Sequence, residues 1–223
     1  MKVQACGLCH SDVSCANGKM AHPLPAVLGH EGAGIIESVG AGVVNWKVGD
    51  RAILTLVMPC NNCGVCLYGR PSLCVNKKMN TTAVAMADGK NCFPFTGLGC
   101  MADYCVVSHQ ALIKCPDSMP IEKAALVSCG VTTGCGAAMN RAKCTPGSSC
   151  CVVGCGGVGL SAIQGARICG AKQIIAVDMA ESKLDAARAM GATHCQRYQK
   201  AEWRRSGQRT GMHRAAQHFP DCD

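Results

Sequence analysis

A chain of 223 residues, 48% of them apolar, is long enough to bury a real core in one large domain or in parts of two. Its formal charge of +8 is scattered rather than striped, which excludes a dedicated nucleic-acid surface. No run is long and apolar enough to cross a membrane and none resembles a signal peptide, so the 20 cysteines point to metal in a reducing cytoplasm rather than to disulfides.

Residues 1–120 read as β-rich and glycine-punctuated. Residues 34–39, 52–57, 104–107 and 111–113 are strand candidates, and 58–79 is a polar, cysteine-rich loop with neither a helical nor a strand period. The period changes near residue 117. Asp117 or Ser118 can cap a helix that opens near Pro120, with Glu122 in its first turn. A second helix spans 130–141, weakened by two threonines and three glycines. A βαβ pattern follows, with strand 150–153, helix 158–168 and strand 173–177, and then a helix over 180–190. Residues 196–223 hold no Ile, Leu or Val and carry six Lys or Arg against three Asp or Glu. Nothing there would bury, so a solvated tail with no continuing sheet is expected.

Cys60, Cys63, Cys66 and Cys74 follow the spacing C-x2-C-x2-C-x7-C. Tetrahedral zinc needs four thiolates converging on one point. Two-residue gaps let a tight loop turn successive sulfurs inward, and the longer gap closes the knot. The loop has no apolar core of its own, so metal must order it. The spacing of the first three cysteines also occurs in ferredoxins, but those place the fourth cysteine after three residues and before a proline. Here it comes after seven, and Val75 follows. A chance cluster of free thiols is the remaining alternative. Cys9 and His30 suggest a second, open metal site, although a Cys-His dipeptide and a lone histidine establish little by themselves.

Gly154, Gly156 and Gly159 fit G-x-G-x-x-G, with Gly157 and Val158 between the last two. The motif follows an apolar strand and opens a helix, and Asp178 lies nineteen residues beyond Gly159 at the end of the next strand. That context is what dinucleotide binding requires. Asp178 can accept from ribose hydroxyls and would repel a 2′-phosphate, which favours NAD over NADP.

Five motifs occur in one order. They are Gly7-Leu8-Cys9-His10-Ser11-Asp12, Gly29-His30-Glu31-Gly32, the four-cysteine loop, Ser128-Cys129-Gly130, and Val153-Gly154-Cys155-Gly156-Gly157-Val158-Gly159. Together they are similar to the zinc-dependent medium-chain alcohol dehydrogenases. The resemblance implies an α/β fold with a β-rich part: an incomplete GroES-like catalytic domain over 1–120, a partial Rossmann doubly wound domain over 121–195, and a non-family basic tail over 196–223. It implies two zinc ions and NAD. Cys129 joins Cys9 and His30 as the third catalytic-zinc ligand, and the four-cysteine loop holds the structural zinc. Asp12 matches the carboxylate that orients His30, Glu31 the carboxylate beside the zinc, and Ser11 the hydroxyl that takes the alcohol proton. Thr133 matches a nicotinamide contact, His10 and Lys183 match positions near the pyrophosphate and ribose, and Leu56 falls on a pocket wall.

The activity implied is hydride transfer between a small alcohol and its aldehyde or ketone, with no nucleic-acid or membrane partner. Ser14 stands where the family usually ends its proton relay in histidine, so proton release is not expected to run through that position. Cys100, Cys105, Cys135 and Cys150 stand where relatives tend to carry other residues. Both family domains read as cut short. From that follow expectations of weak or no turnover by this chain, and of no sure place for the homo-oligomer of the full-length family. The alternative is a non-catalytic zinc-binding remnant of such an enzyme.

Overall fold

A computed structural model describes residues 1–77 and 82–198 and the backbone of Gln217–His218. The chain forms two compact units, Met1–Cys129 and Gly130–Asp223. The division lies nine residues beyond the boundary expected at 120, and it leaves Cys129 with the first unit.

In the first unit, β1 (Lys2–Gly7), β3 (Glu31–Ile35), β4 (Arg51–Leu54) and β7 (Leu112–Lys114) form one antiparallel sheet in the order β1-β3-β4-β7. A smaller sheet has the order β2-β6-β5, from β2 (Ala26–Val27), β5 (Val84–Ala85) and β6 (Asn91–Pro94). Helix α1 (His10–Ala16) follows β1, and helix α3 (Ile121–Leu126) closes the unit. Leu54, Met58, Leu98, Cys100, Cys105 and Ala111 make one buried cluster. Ala33, Ile53, Cys115, Ala124 and Ala125 make a second, which seats α3 by small side chains.

Several sequence expectations change here. The strand expected over 34–39 begins at Glu31, because its partner is β1, and it ends at Ile35, where Ile36 N–H turns to Asp50 O. Residues 104–107 make only one bridge, between Tyr104 and Lys2, while Cys105 N–H is spent on Met1 O. The cysteine loop is not featureless. It contains a short helix α2 (Gly64–Leu67) and a 3-10 turn (Pro71–Leu73), where Leu67 N–H reaches back to Cys63 O. Neither Asp117 nor Ser118 caps α3. Pro120 precedes it, and the Pro120 carbonyl accepts from Lys123 and Ala124.

In the second unit, α4 (Thr132–Gly136) follows a wider helical turn that begins in the first unit, Val127–Val131, and precedes another, Ala137–Arg141, where one helix over 130–141 was expected. Strands β8 (Ser149–Val153), β9 (Gln173–Asp178) and β10 (His194–Arg197) pair in parallel, joined through α5 (Gly157–Ile168) and α6 (Glu181–Met190). The order β10-β9-β8 is the 3-2-1 half of a doubly wound sheet. Val152, Ile163, Ile174 and Leu184 are buried among alanines, which let the helices lie close to the sheet. β10 runs through Gln196 and Arg197, and β11 (Gln217–His218) pairs antiparallel with β8. The expectation that no sheet continues past residue 196 therefore fails. Strand pairing is made by backbone groups, and an outer strand can present polar side chains to water. Among the described residues no helix is long and apolar enough to cross a membrane.

Candidate metal centres and nucleotide loop

Cys60, Cys63, Cys66 and Cys74 converge as expected, with their sulfurs all within 4.8 Å of one another. Separations are 4.0 Å for Cys60–Cys66, 3.4 Å for Cys63–Cys66 and 3.9 Å for Cys63–Cys74. Four sulfurs about 2.3 Å from a tetrahedral zinc stand about 3.8 Å apart, so the donor set has the right shape and softness for that ion. Cys60 N–H points at the Cys74 sulfur at 3.3 Å, and Asn62 N–H at that of Cys60 at 3.5 Å. Inward N–H groups favour thiolates. The Cys66 N–H, then that of Val75, brings Cys63 down to about 6, and the Cys60 N–H lowers Cys74. Burial, then the neighbouring Cys63 sulfur, pushes Cys66 up to about 12.

The second cluster joins Cys9, His30, Glu31 and Cys129, again within 4.8 Å, from positions up to 120 residues apart. Cys9 ends the segment leaving β1, His30 precedes β3, Glu31 opens it, and Cys129 follows α3. Asp12 holds this arrangement. Its Oδ2 accepts from Cys9 N–H at 3.0 Å, its Oδ1 from Gly29 N–H at 2.9 Å, and its Oδ1 lies 3.1 Å from His30 Nδ1. Asp12 is 0% and His30 1% exposed. With Nδ1 directed to the carboxylate, Nε2 is the ring nitrogen left for the cluster. Phe95 meets the His30 ring edge to face at 5.6 Å. Ser11 Oγ lies 3.8 Å from the Cys9 sulfur. A methyl group on Gly7 would sit 2.3 Å from Glu31 Oε2, so glycine makes room for that carboxylate.

The sequence reading placed Asp12 against His30 but missed its two backbone bonds and the packing of Phe95. The first had a visible signal, since an acid three residues after the residue preceding a helix can reach back to that residue's N–H. Phe95 had none. Leu56 packs at the edge of the Leu54–Met58 cluster, partly buried.

In the second unit the glycine loop joins β8 to α5. Gly154 has φ +93°, which only glycine adopts without strain, and a methyl group on Gly159 would lie 1.8 Å from Gly154 O. At Gly156 and Gly157 an added methyl would meet no protein atom within 4 Å. The glycine faces thus leave room beside the N-terminus of α5 for a phosphate-bearing group. Asp178 Oδ2 accepts from Cys155 N–H at 2.8 Å and Oδ1 from Ala180 N–H at 3.0 Å, with Lys183 Nζ 4.0 Å away. Partial burial raises its pKa, but these two N–H groups and Lys183 outweigh it and hold the carboxyl below its usual range. Thr133 is exposed in the first turn of α4, and His10 is exposed at the start of α1.

Residues 1–117 match the model of the alcohol dehydrogenase GroES-like domain, and residues 157–218 match that of the zinc-binding dehydrogenases. The chain belongs to the zinc-dependent medium-chain alcohol dehydrogenases. The second match runs well past residue 196, into the stretch expected to resemble nothing in the family. A crystal structure of benzyl alcohol dehydrogenase from Acinetobacter calcoaceticus is 40% identical with a TM-score of 0.77, over 87% of this chain and 54% of that one. An alcohol dehydrogenase zinc-binding domain protein from Burkholderia ambifaria is 38% identical with a TM-score of 0.81, over 88% and 55%. A structure of an NAD-dependent alcohol dehydrogenase is 28% identical with a TM-score of 0.73, over 92% and 57%. The chain thus spans about half the length of these dehydrogenases.

Proposed function

We propose that the protein is an NAD-linked, zinc-dependent alcohol dehydrogenase that interconverts a small alcohol and its aldehyde or ketone. The observation that carries this reading is the long-range convergence of Cys9, His30, Glu31 and Cys129 around a buried, bracing carboxylate. Cys9, His30 and Cys129 would hold zinc with one position open, and Cys60, Cys63, Cys66 and Cys74 would hold a second zinc in a closed site. Bound in the open site, zinc supplies Lewis acidity to the oxygen of the alcohol or carbonyl.

The chain's own residues do the rest. Asp12 fixes the tautomer and direction of His30 and ties the Cys9 and Gly29 backbones to it, so it would orient the ligands toward one point. Ser11 accepts the hydroxyl proton of the alcohol. Glu31 places negative charge beside the metal. Gly154, Gly156, Gly157, Val158 and Gly159 cradle the cofactor's phosphates. Asp178 accepts from the ribose hydroxyls and disfavours a 2′-phosphate. His10, Thr133 and Lys183 correspond to further cofactor-contacting positions of the family. The benzyl alcohol dehydrogenase likeness makes aromatic primary alcohols the first substrates to test.

The test is zinc content and NAD binding on the purified chain, then hydride transfer from benzyl alcohol and aliphatic alcohols to NAD. Zinc-dependent NADH formation abolished by Cys9→Ala supports the reading. Zinc held by the four-cysteine loop with no hydride transfer to NAD from any alcohol favours instead a metal-binding protein without turnover.

A further inference from the structure

The segment that delivers Cys9 also meets, through a sulfur pair outside both metal clusters, the segment hydrogen bonded beside His30. Cys6, on β1 three residues before Cys9, has its Sγ 3.5 Å from the Sγ of Cys100. Cys100 follows β6 and the turn at Phe95–Gly97; its N–H donates to Gly29 O at 3.1 Å, and Met101 N–H donates to Leu28 O at 2.9 Å. Cys100 is 0% exposed, whereas Cys6 is partly open. Both are thiols. Cys105 lies in the same buried cluster as Cys100. Two sulfurs at van der Waals distance, one reachable and one sheltered, are the arrangement in which a small oxidant meets the first and the second resolves it.

We propose that Cys6 and Cys100 form a dithiol that hydrogen peroxide converts to a disulfide. The Cys6 sulfur attacks one peroxide oxygen, the O–O bond breaks, and a sulfenic acid and one water leave the step. The Cys100 sulfur then attacks the Cys6 sulfur and displaces its hydroxyl as a second water. Overall two S–H bonds and one O–O bond break and one S–S bond forms. The two electrons pass from sulfur to the peroxide oxygens, and both thiol protons end in water. Closure shortens the sulfur separation from 3.5 Å to about 2.05 Å. It links β1, which runs into Cys9, to the segment hydrogen bonded beside His30.

The zinc-loaded chain is treated with a small molar excess of hydrogen peroxide. Remaining thiols are then alkylated, and the protein is digested without reduction and sequenced by fragment-ion mass spectrometry. The expected product is a peptide pair joined through Cys6 and Cys100, two hydrogens lighter than the free thiols and separated by dithiothreitol. Cys105→Ser should leave the link intact. Cys100→Ala should abolish it and leave Cys6 as a sulfenic acid captured by dimedone. If Cys100→Ala does not fold, the wild-type map decides alone. Recovery of Cys6 and Cys100 as separately alkylated thiols, while other cysteines of the same sample are oxidised, would overturn the proposal. So would a Cys6 link to Cys9 or Cys105 in place of Cys100.

Discussion

The two cysteine-rich clusters are built in opposite ways. Cys60, Cys63, Cys66 and Cys74 lie within fifteen consecutive residues, around one short helix and one 3-10 turn, and their inward N–H groups already stabilise thiolates. Cys9, the adjacent pair His30 and Glu31, and Cys129 come from three separate places in the chain, and a buried carboxylate that accepts two backbone N–H groups and faces one imidazole braces the first two of these. The first site is a single local loop. The second depends on the fold to bring its donors together. The glycine loop follows the second pattern, because Asp178 ties Cys155 and Ala180 as Asp12 ties Cys9 and Gly29. In both places one carboxylate braces two segments of the chain.

The largest effect should come from the closed cluster. Structural zinc sites draw about 10–16 kcal/mol from the metal. Cys60→Ser is therefore expected to remove one zinc per chain and to open residues 60–74 to protease, as read by metal analysis and limited proteolysis. The Cys9 cluster should keep its metal. Unchanged zinc content, or simultaneous loss from both clusters, would erase the contrast between them.

Asp12→Ala should act on the other side of the comparison. Losing a partner of a metal-bound histidine costs about 10–100-fold in metal affinity. Zinc titration with competing chelators should show that loss at the open site alone. An equal loss at the four-cysteine site would mean that Asp12 supports the unit generally rather than the ligands.

Asp178→Ser should raise kcat/KM for NADP relative to NAD by about tenfold, the scale of a removed like-charge contact. A constant ratio would take Asp178 away from the ribose and leave it only as the brace of the glycine loop.

The smallest effect is on stability. The folded pKa of Asp178 is depressed, so its contribution is present above the unfolded value of about 3.9 and disappears as pH falls through the lower folded value. Asp178→Asn should therefore be less stable than the parent at pH 6, with the gap closing below about pH 4 in thermal melts. A gap that widens on acidification would reverse the sign assigned here.

Legibility in the sequence followed sequence distance. The cysteine spacing disclosed the closed cluster because a tight loop and its ligands are one local object. The glycine motif with Asp178 disclosed the βαβ turn for the same reason. Cys9 and His30 were legible only as fragments, and Cys129 entered through the family resemblance, since no periodicity relates residues 9, 30 and 129. The strand expected at 104–107 failed because apolar alternation does not say whether a partner edge is free. The continuation of the sheet through Gln196 and Arg197 was missed because strand pairing is backbone work that side-chain composition does not report.

By itself, the sequence determined which local chemistries were available: four thiolates in one loop, a glycine turn between strand and helix, and an acid at the next strand's end. Those follow from spacing, because residues a few positions apart must remain close in space. Only the tertiary structure decided that Asp12 holds two ligand-bearing segments at once, that Phe95 walls His30, and that Cys6 meets Cys100 across ninety-four residues. Such meetings depend on sheet register and packing, where a shift of one residue would turn every side chain to the opposite face.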